Sequence, residues 1–370
     1  MLRSSRAALS GPGRGRTPPS WRSRSCRNIT PVQPTPFRQL RKRWWRRSSD
    51  GSAECRRSGI HSGRCFRNRT LPTPRNAPAV DALIDGILSC ASRVLASLPE
   101  AAVRHAVSIV GACAYLFGRD ARRAAIRNRA FVLDRHDPDR ISRSTRRAFA
   151  VQVANYVDLI RLHAASTALI AARVAVPDVE HLAAALRSGR GAVLATVHIG
   201  DFNVVSHASL VRGWPIAIPV ENLRSPVVAA LLTRLRRAHG VTIVPIGPRT
   251  FQDLRDHLSR GGVVAMAIDH DVQGTGEVHA LFGQPARLST AAAVLAARAR
   301  APIVPVACVR TADGFTAELQ PPIAPGDRPS PRLLMRALLP RVEAMIRRHV
   351  DQWVMFRSVF VDDDVAQVKR

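Results

Sequence analysis

The chain has 370 residues, 46% of them hydrophobic, and a formal net charge of +29. A chain of this length can bury a core without disulfides, and its six cysteines include no Cys-x-x-Cys pair, so we interpret them as reduced thiols. No stretch reaches the ~18 apolar residues of a spanning helix, and no apolar signal core follows Met1. We therefore expect a body that is cytoplasmic or peripheral to a membrane.

The positive charge is concentrated in the N-terminal part of the chain. Residues 1–79 contain 19 Arg and Lys against two acids, Asp50 and Glu54. Residues 1–78 are rich in Arg, Ser, Pro and Gly and lack hydrophobic periodicity, which predicts a disordered tail. Within it, the segment RKRWWRR at 41–47 suits nucleic acid or anionic lipid. We favour the alternative that this part is a solvated tail or a stretch that is never translated, because charge blocks are usually just solvated.

Helices are predicted after this tail. Apolar residues recur at helical spacing from Val80 to Leu98, a second helix opens at Pro99 and ends at Phe117, and two further amphipathic segments follow. We predict a helical lead-in over 79–176. Its first two helices fit either an anionic membrane surface or the cover of a sheet.

From residue 178 onward, helical segments alternate with short apolar runs. The predicted strands are 192–197, 215–220, 241–246, 262–268 and 302–309, and the predicted helices are 181–187, 226–239, 250–259, 289–299 and 331–349. This alternation predicts an α/β fold with a mostly parallel central sheet flanked by helices. We expect one domain over 79–362 and a short tail at 363–370. In such sheets functional residues lie at the carboxyl ends of the strands.

His198 is the first candidate for chemistry. It directly follows the apolar run 192–197 and precedes a turn of small residues. A general base is expected at such a strand end, although a histidine there also serves as a hydrogen-bonded structural residue.

Several sequence blocks occur in a recognisable order. The block GAVLATVHIGDFN at 191–203 is similar to one in which His is followed by x-G-N-W and an acid. Further matching blocks are Arg127-Asn128, AIDHD at 267–271, LFG at 281–283, LAARARAPIVPV at 295–306 and RRHVDQW at 347–353. Over roughly residues 80–360 the chain thus resembles the lysophospholipid and lipid A late acyltransferases, including the phosphatidylinositol mannoside acyltransferases, whose fold is glycerolipid acyltransferase-like.

The resemblance implies an enzyme that moves a fatty acyl chain from a thioester donor to a hydroxyl, or an amine, of a lipid or glycolipid. The donor is acyl-CoA or acyl carrier protein, and no further cofactor is implied. His198 takes the role of general base. The implied location is peripheral, at the cytoplasmic face of the inner (plasma) membrane.

One position departs from the family pattern. The acid expected five residues after His198 is replaced by Asn203, which can orient a ring but adds no negative charge. Asp201 can replace it if a helix begins at His198, because the two side chains then lie one turn apart. Glu221 can also replace it, since the segment VENLRSP at 220–226 resembles the version in the mannoside enzymes. We favour Glu221 and keep Asp201 as the other catalytic candidate.

The remaining candidates are expected to bind substrate. They are Asn203, Arg224, Asp269 and Arg287. Asp269, His270, Asp271 and His279 match no standard metal spacing, so we predict no metal. Two alternatives to an enzyme remain: a catalytically impaired lipid-binding protein of the same fold, which Asn203 favours, and a nucleic-acid binder acting through the basic tail.

Overall fold

The computed structural model describes residues 78–163, 165–204, 206, 213–221, 240–271, 273–312 and 314–361. Helices dominate its first part. They are α1 (Pro78–Ser97), α2 (Glu100–Phe117), α3 (Arg119–Val132), α4 (Pro138–His163) and α5 (Thr167–Arg173). The helical lead-in predicted from the sequence is therefore present, and its first helix begins one residue before the predicted domain boundary.

Strands and helices alternate in the second part. The elements are β1 (Val174–Ala175), α6 (Val179–Leu186), β2 (Ala192–Gly200), β3 (Ile216–Val220), β4 (Thr242–Pro245), α7 (Thr250–Ser259), β5 (Val263–Ala267), β6 (Glu277–Leu281), β7 (Gln284–Leu288), α8 (Ala291–Ala299), β8 (Ile303–Arg310), β9 (Phe315–Leu319) and α9 (Pro331–Arg348), followed by a 3-10 turn at Val350–Gln352. The order in the seven-stranded sheet is β1-β9-β8-β2-β5-β3-β4. Only the β8–β9 pairing in this described sheet is antiparallel.

The predicted α/β class and its mostly parallel sheet are confirmed. The strands β1, β6, β7 and β9 were not predicted, and β6 begins shortly after Gly274 and Gly276. A separate antiparallel hairpin follows these glycines, and its turn at Phe282 and Gly283 has positive φ at both residues. The predicted helix 226–239, most of the basic tail and the tail at 363–370 lie outside the described residues.

The strand β2 lies in the middle of the sheet and is covered on both faces. Val193, Ala195 and Val197 belong to the core cluster that includes α8 and α9. Leu194 points to the opposite cluster, which contains Leu182 of α6. Burial on both faces explains why this strand reads as a continuous apolar run rather than an alternating one.

The helices α1 and α2 cover part of the lead-in and leave apolar side chains on the surface. Gly111 of α2 packs against the backbone of Ala150 in α4. The large apolar residues exposed on α1, on α2 and between them include Ile87, Val94, Leu98, Ile109, Val110, Leu116 and Phe117. No described helix is by itself long and apolar enough to cross a bilayer; residues 86–97 and 100–117 reach that composition only together, and they meet at a bend of 113°.

Gly200 ends β2 and fixes the path of the chain beyond His198. Its φ is 57°, and a Cβ there would collide with the carbonyl oxygen of Cys308. The Gly200 carbonyl accepts a hydrogen bond of 2.6 Å from the Asn155 amide of α4. The end of the strand is thus held on both sides.

We expect Gly200→Ala to lower the free energy of unfolding by about 2–4 kcal/mol, because it adds a steric collision to left-handed strain. The matched control is Gly189→Ala, since Gly189 has a similar φ of 70° but open space around its Cβ position. Strain alone costs about 1–2 kcal/mol there. Urea unfolding of both variants measures the difference, and equal losses would contradict the predicted collision.

Candidate active site

His198 lies inside the last part of β2. The pairing of β2 with β8 shifts register between Thr196 and Gly200, and the strand continues to Gly200 before a helical turn begins at Phe202. The condition under which Asp201 would lie one helical turn from His198, a helix that begins at His198, is therefore not met. Strand geometry persists because the backbone of His198 remains bonded: its carbonyl accepts the Val354 N–H at 2.7 Å.

Asp269 holds the ring of His198. Thr196 pairs with Ala267 across the parallel strands β2 and β5, which places His198 opposite Asp269, two residues beyond the end of β5. The Asp269 carboxylate accepts a 2.8 Å bond from His198 Nδ1 at Oδ1 and a 2.9 Å bond from the His198 backbone N–H at Oδ2. The carboxylate therefore accepts the His198 N–H in place of a backbone carbonyl of β5, which would accept it if the pairing of β2 with β5 continued.

This contact sets the protonation of the pair. Burial alone would raise the pKa of Asp269, but the charge and hydrogen bonds of His198 and a bond from Trp353 outweigh it and lower the pKa. Asp269 is then ionised near neutral pH, so Nδ1 of the neutral ring carries the hydrogen. The lone pair is left on Nε2, which is the arrangement that a general base needs.

Asp201, the other catalytic candidate, contacts the helical turn after β2 and Arg310. It is fully buried, and its Oδ1 accepts the backbone N–H groups of Asn203 and Val204 at 3.0 and 3.3 Å. These are bonds of a helix cap. Its Oδ2 lies 3.9 Å from the Arg310 guanidinium. Asn203 is also buried, with its amide 3.3 Å from Asp201, which places it among structural contacts rather than in the cavity described below.

Arg310 connects this cap to α4. Its guanidinium lies 2.6 Å from Asp158 and donates to Asn155 at 3.0 Å. Asn155 in turn donates to the carbonyl of Gly200. The polar groups behind the end of β2 therefore form one network between the helical lead-in and the sheet.

An apolar cavity of about 460 Å³ opens beside His198. Its volume falls within the ~300–1,000 Å³ of ligand pockets. It extends across one face of the sheet, where it is lined by Leu182, Leu194, Trp214, Ile216, Val306, Cys308, Ala317 and Leu319. Burial, together with nearby Asp201, raises the pKa of the Cys308 thiol to about 12, so this sulfur is a poor nucleophile at neutral pH.

Polar groups gather where the cavity meets the carboxyl edge of the sheet. Glu221, which we favoured as the partner of His198, lines this end, as do His270 and Asp271. The His198 and His270 rings are 5.9 Å apart, and burial lowers the pKa of His270. Among the described residues, His270 Nε2 and Asp271 Oδ2 are buried without a hydrogen-bond partner. Sequence reasoning missed both as cavity residues.

The other two residues predicted to bind substrate are Arg287 and Arg224. Arg287 lies on β7, where its Nη1 donates to the carbonyl of Gly276 at 3.0 Å, and it is absent from the described lining. Arg224 lies outside the described residues. No group of three potential metal ligands occurs in the described part of the chain.

The fold and the site together define a class of protein. A parallel α/β sheet presents a histidine–aspartate pair beside an apolar cavity that can hold an acyl chain, as expected of an enzyme acting on a lipid substrate. The sequence model of the family of bacterial lipid A biosynthesis acyltransferases matches residues 78–361, and the chain belongs to that family. It is an acyltransferase.

Curated relatives agree with this assignment. The chain is 25% identical over 277 residues to a phosphatidylinositol mannoside acyltransferase of Mycolicibacterium smegmatis, which covers 73% of this chain and 89% of the relative. It is 26% identical over 193 residues to a phosphatidylinositol mannoside acyltransferase of Mycobacterium tuberculosis, which covers 51% of this chain and 60% of the relative.

The buried Asp201 predicts a specific dependence of stability on pH. Burial and nearby Asp158 raise its pKa from 3.8 to about 6, against the opposing effect of Arg310. The folded state therefore binds this proton more tightly than the unfolded state does. The resulting stabilisation is present below about pH 4 and is lost as the pH rises through about 6.

Asp201→Asn should remove this loss, because asparagine is neutral and still caps the helical turn. We expect it to be more stable than the wild type at pH 7 by roughly 1–3 kcal/mol, with the difference shrinking toward pH 4. Urea unfolding at several pH values measures this. Asp269→Asn is the control of opposite sign, since the pKa of Asp269 is lowered. An Asp201→Asn variant less stable than the wild type at pH 7 would contradict the prediction.

Proposed function

We propose that the protein transfers a fatty acyl chain from a thioester to a hydroxyl of a lipid or glycolipid, with His198 as the general base. The observation that carries this proposal is the His198–Asp269 pair at the edge of an apolar cavity. Nε2 of His198 removes the hydroxyl proton while the oxygen attacks the thioester carbonyl carbon. The carbon–sulfur bond then breaks, and the thiol leaves with the proton returned by the imidazolium.

Asp269 supports both halves of this reaction. Its carboxylate keeps the ring in the tautomer that exposes the Nε2 lone pair, and its negative charge stabilises the imidazolium that forms. Because its side chain is only 1% exposed, water screens this charge weakly. We therefore assign to Asp269 the role that the family pattern gives to the acid at position 203.

The apolar cavity suits the acyl chain of the donor. Its lining runs from Ile216 on β3 to Leu319 on β9, so a chain lying in it passes beneath the end of β2 that carries His198. The thiol carrier, CoA or acyl carrier protein, stays outside this lining. Because the cavity does not distinguish the two carriers, the assay described below tests acyl-CoA and acyl carrier protein separately.

The polar end of the cavity suits the acceptor. Glu221, Asp271 and His270 offer two carboxylates and a neutral ring within the same cavity as His198. Carboxylates accept hydrogen bonds from hydroxyl groups, and their negative charge disfavours a phosphate at this position. We propose that these groups bind hydroxyls adjacent to the one that is acylated.

His198→Gln tests the base directly. Glutamine can still donate to Asp269 but cannot take up a proton, so we expect kcat/KM to fall about 10²–10⁴-fold. The assay measures transfer from labelled acyl-CoA and acyl carrier protein to lysolipids and glycolipids. The control is His136→Ala at an exposed position.

The outcomes of this test differ clearly. Activity above a tenth of wild type in His198→Gln would contradict His198 as the base. A wild-type protein that binds the acyl donor but transfers it to no acceptor would support the lipid-binding alternative.

We further propose that the exposed apolar residues of α1 and α2 rest on an anionic membrane surface. Phe117 is 83% exposed and Leu116 is 60% exposed, at the corner where α2 meets α3. Arg119 and Arg123 are exposed directly after this corner. An apolar protrusion beside arginines matches the interfacial region of a bilayer with anionic lipids.

Phe117→Ser should weaken binding to vesicles of phosphatidylcholine and phosphatidylglycerol by about tenfold, because a buried aromatic ring contributes ~1.5–3 kcal/mol. Co-sedimentation over a range of lipid concentrations measures it. Leu333→Ser is the matched control, since Leu333 is 62% exposed on α9. Equal effects of the two substitutions would contradict a membrane contact at the α2–α3 corner.

A further inference from the structure

Trp353 lies behind the catalytic pair and takes no part in lining the cavity. It follows the 3-10 turn at Val350–Gln352 and is completely buried. Its indole Nε1–H donates to Asp269 Oδ2 at 2.8 Å. We propose that Trp353 is a positioning residue, which fixes the carboxylate of Asp269 so that His198 is held for base catalysis. This inference rests on the proposed function.

The two oxygens of Asp269 have separate tasks. Oδ1 accepts the ring Nδ1–H of His198, whereas Oδ2 accepts both the backbone N–H of His198 and the indole N–H of Trp353. The terminal torsion of an aspartate is broad and is not fixed by sidechain sterics alone. Two donors on Oδ2 therefore fix the rotation of the carboxylate and direct Oδ1 to the ring.

Trp353 is itself held to the catalytic strand. Ile199 and Trp353 form an antiparallel bridge, and the Val354 N–H donates to the His198 carbonyl at 2.7 Å. The same short segment thus contacts the backbone of His198 on one side and its carboxylate partner on the other. A shift of Trp353 would move both.

Arg129 of α3 holds the segment around Trp353 through hydrogen bonds to its backbone carbonyls. Its Nη2 donates to the carbonyl of Trp353 at 2.6 Å and to that of Val350 at 3.2 Å. Its Nε donates to Ser144. Burial lowers the pKa of Arg129 to about 10, so it remains charged at neutral pH. Hydrogen bonds from a charged donor are stronger than neutral ones, which suits a clamp on irregular backbone.

Asn128 secures the next residues. Its Nδ2 donates to the carbonyl of Arg357 at 2.7 Å, and its Oδ1 accepts the Val359 N–H at 3.1 Å. Arg129 therefore bonds to the RRHVDQW block, and Asn128 bonds to the residues that directly follow that block. Both residues of α3 thus help to hold the C-terminal segment that carries Trp353.

The test is Trp353→Phe, which removes the N–H donor and keeps an aromatic ring. We expect kcat to fall about 10- to 100-fold, as for the loss of a hydrogen bond to a buried charge. KM for the acyl donor should change by less than about twofold, because Trp353 does not line the cavity. Benzothienylalanine at position 353, which replaces the N–H by sulfur in an isosteric ring, gives the same result without a void.

A double-mutant cycle separates this role from a structural one. In an Asp269→Asn background the Trp353 substitution should cost less than about threefold in kcat, because its partner is already lost. Phe360→Leu, a truncation of another buried aromatic residue, should lower the melting temperature without changing kcat. An unchanged kcat in the isosteric variant, or an additive loss in the cycle, would overturn the proposal.

A measurement without turnover distinguishes this proposal from the proposed function. The ring Nδ1–H of His198 gives a proton resonance that is identified by its loss in His198→Gln. We expect Trp353→Phe to shift or broaden it, and an unchanged resonance would count against positioning by Trp353. If the resonance responds to Trp353 while His198→Gln retains transfer activity, the positioning is correct and the base assignment fails.

Discussion

A single buried carboxylate joins the parts of this protein that form the candidate active site. Asp269 accepts three N–H bonds, two from His198 and one from Trp353. A buried charge is tolerated only when such donors satisfy it, and removing one leaves the rest poorly compensated. Strands β2 and β5 and the C-terminal segment must therefore meet at this point, and α3 holds that segment in place through Arg129. The site and the stability of the fold depend on the same contacts.

The replacement of the family acid by Asn203 is compatible with this arrangement because Asp201 and Asp269 have separate contacts. Asp201 caps the helical turn that begins at Phe202 and faces Arg310. Asp269 contacts the ring of His198 from a position two residues beyond the end of the neighbouring strand β5. Their environments push their pKa values in opposite directions, upward for Asp201 and downward for Asp269. The carboxylate that we propose as the partner of His198 is thus the one whose ionised form the fold favours.

The sequence predicted the sheet and the place of His198, but not its partner. Apolar runs bounded by turns reveal buried strands, and a polar residue at the end of one is visible directly. The order of strands is not visible. Glu221 was favoured because it follows β3, the next described strand after β2 in the chain, and because its segment resembles that of the mannoside enzymes. In the sheet β5 lies between β2 and β3, so the residue opposite His198 is Asp269 instead. The role of Trp353 was hidden for the same reason, since it depends on a contact 84 residues away in sequence.

The helical lead-in connects the exposed apolar surface to the site. Helix α2 packs through Gly111 on α4, and α4 supplies Asn155 to the carbonyl of Gly200, two residues beyond His198. Helix α3 begins at the corner with Phe117 and carries Arg129, which holds Trp353. Packed helices and buried hydrogen bonds are stiff, so they fix the position of His198 relative to α2 and α3. If the α2–α3 corner rests on a membrane as proposed, the distance between His198 and the bilayer is fixed. A lipid acceptor then reaches His198 only when its polar head group leaves the bilayer surface and enters the site at the edge of the sheet.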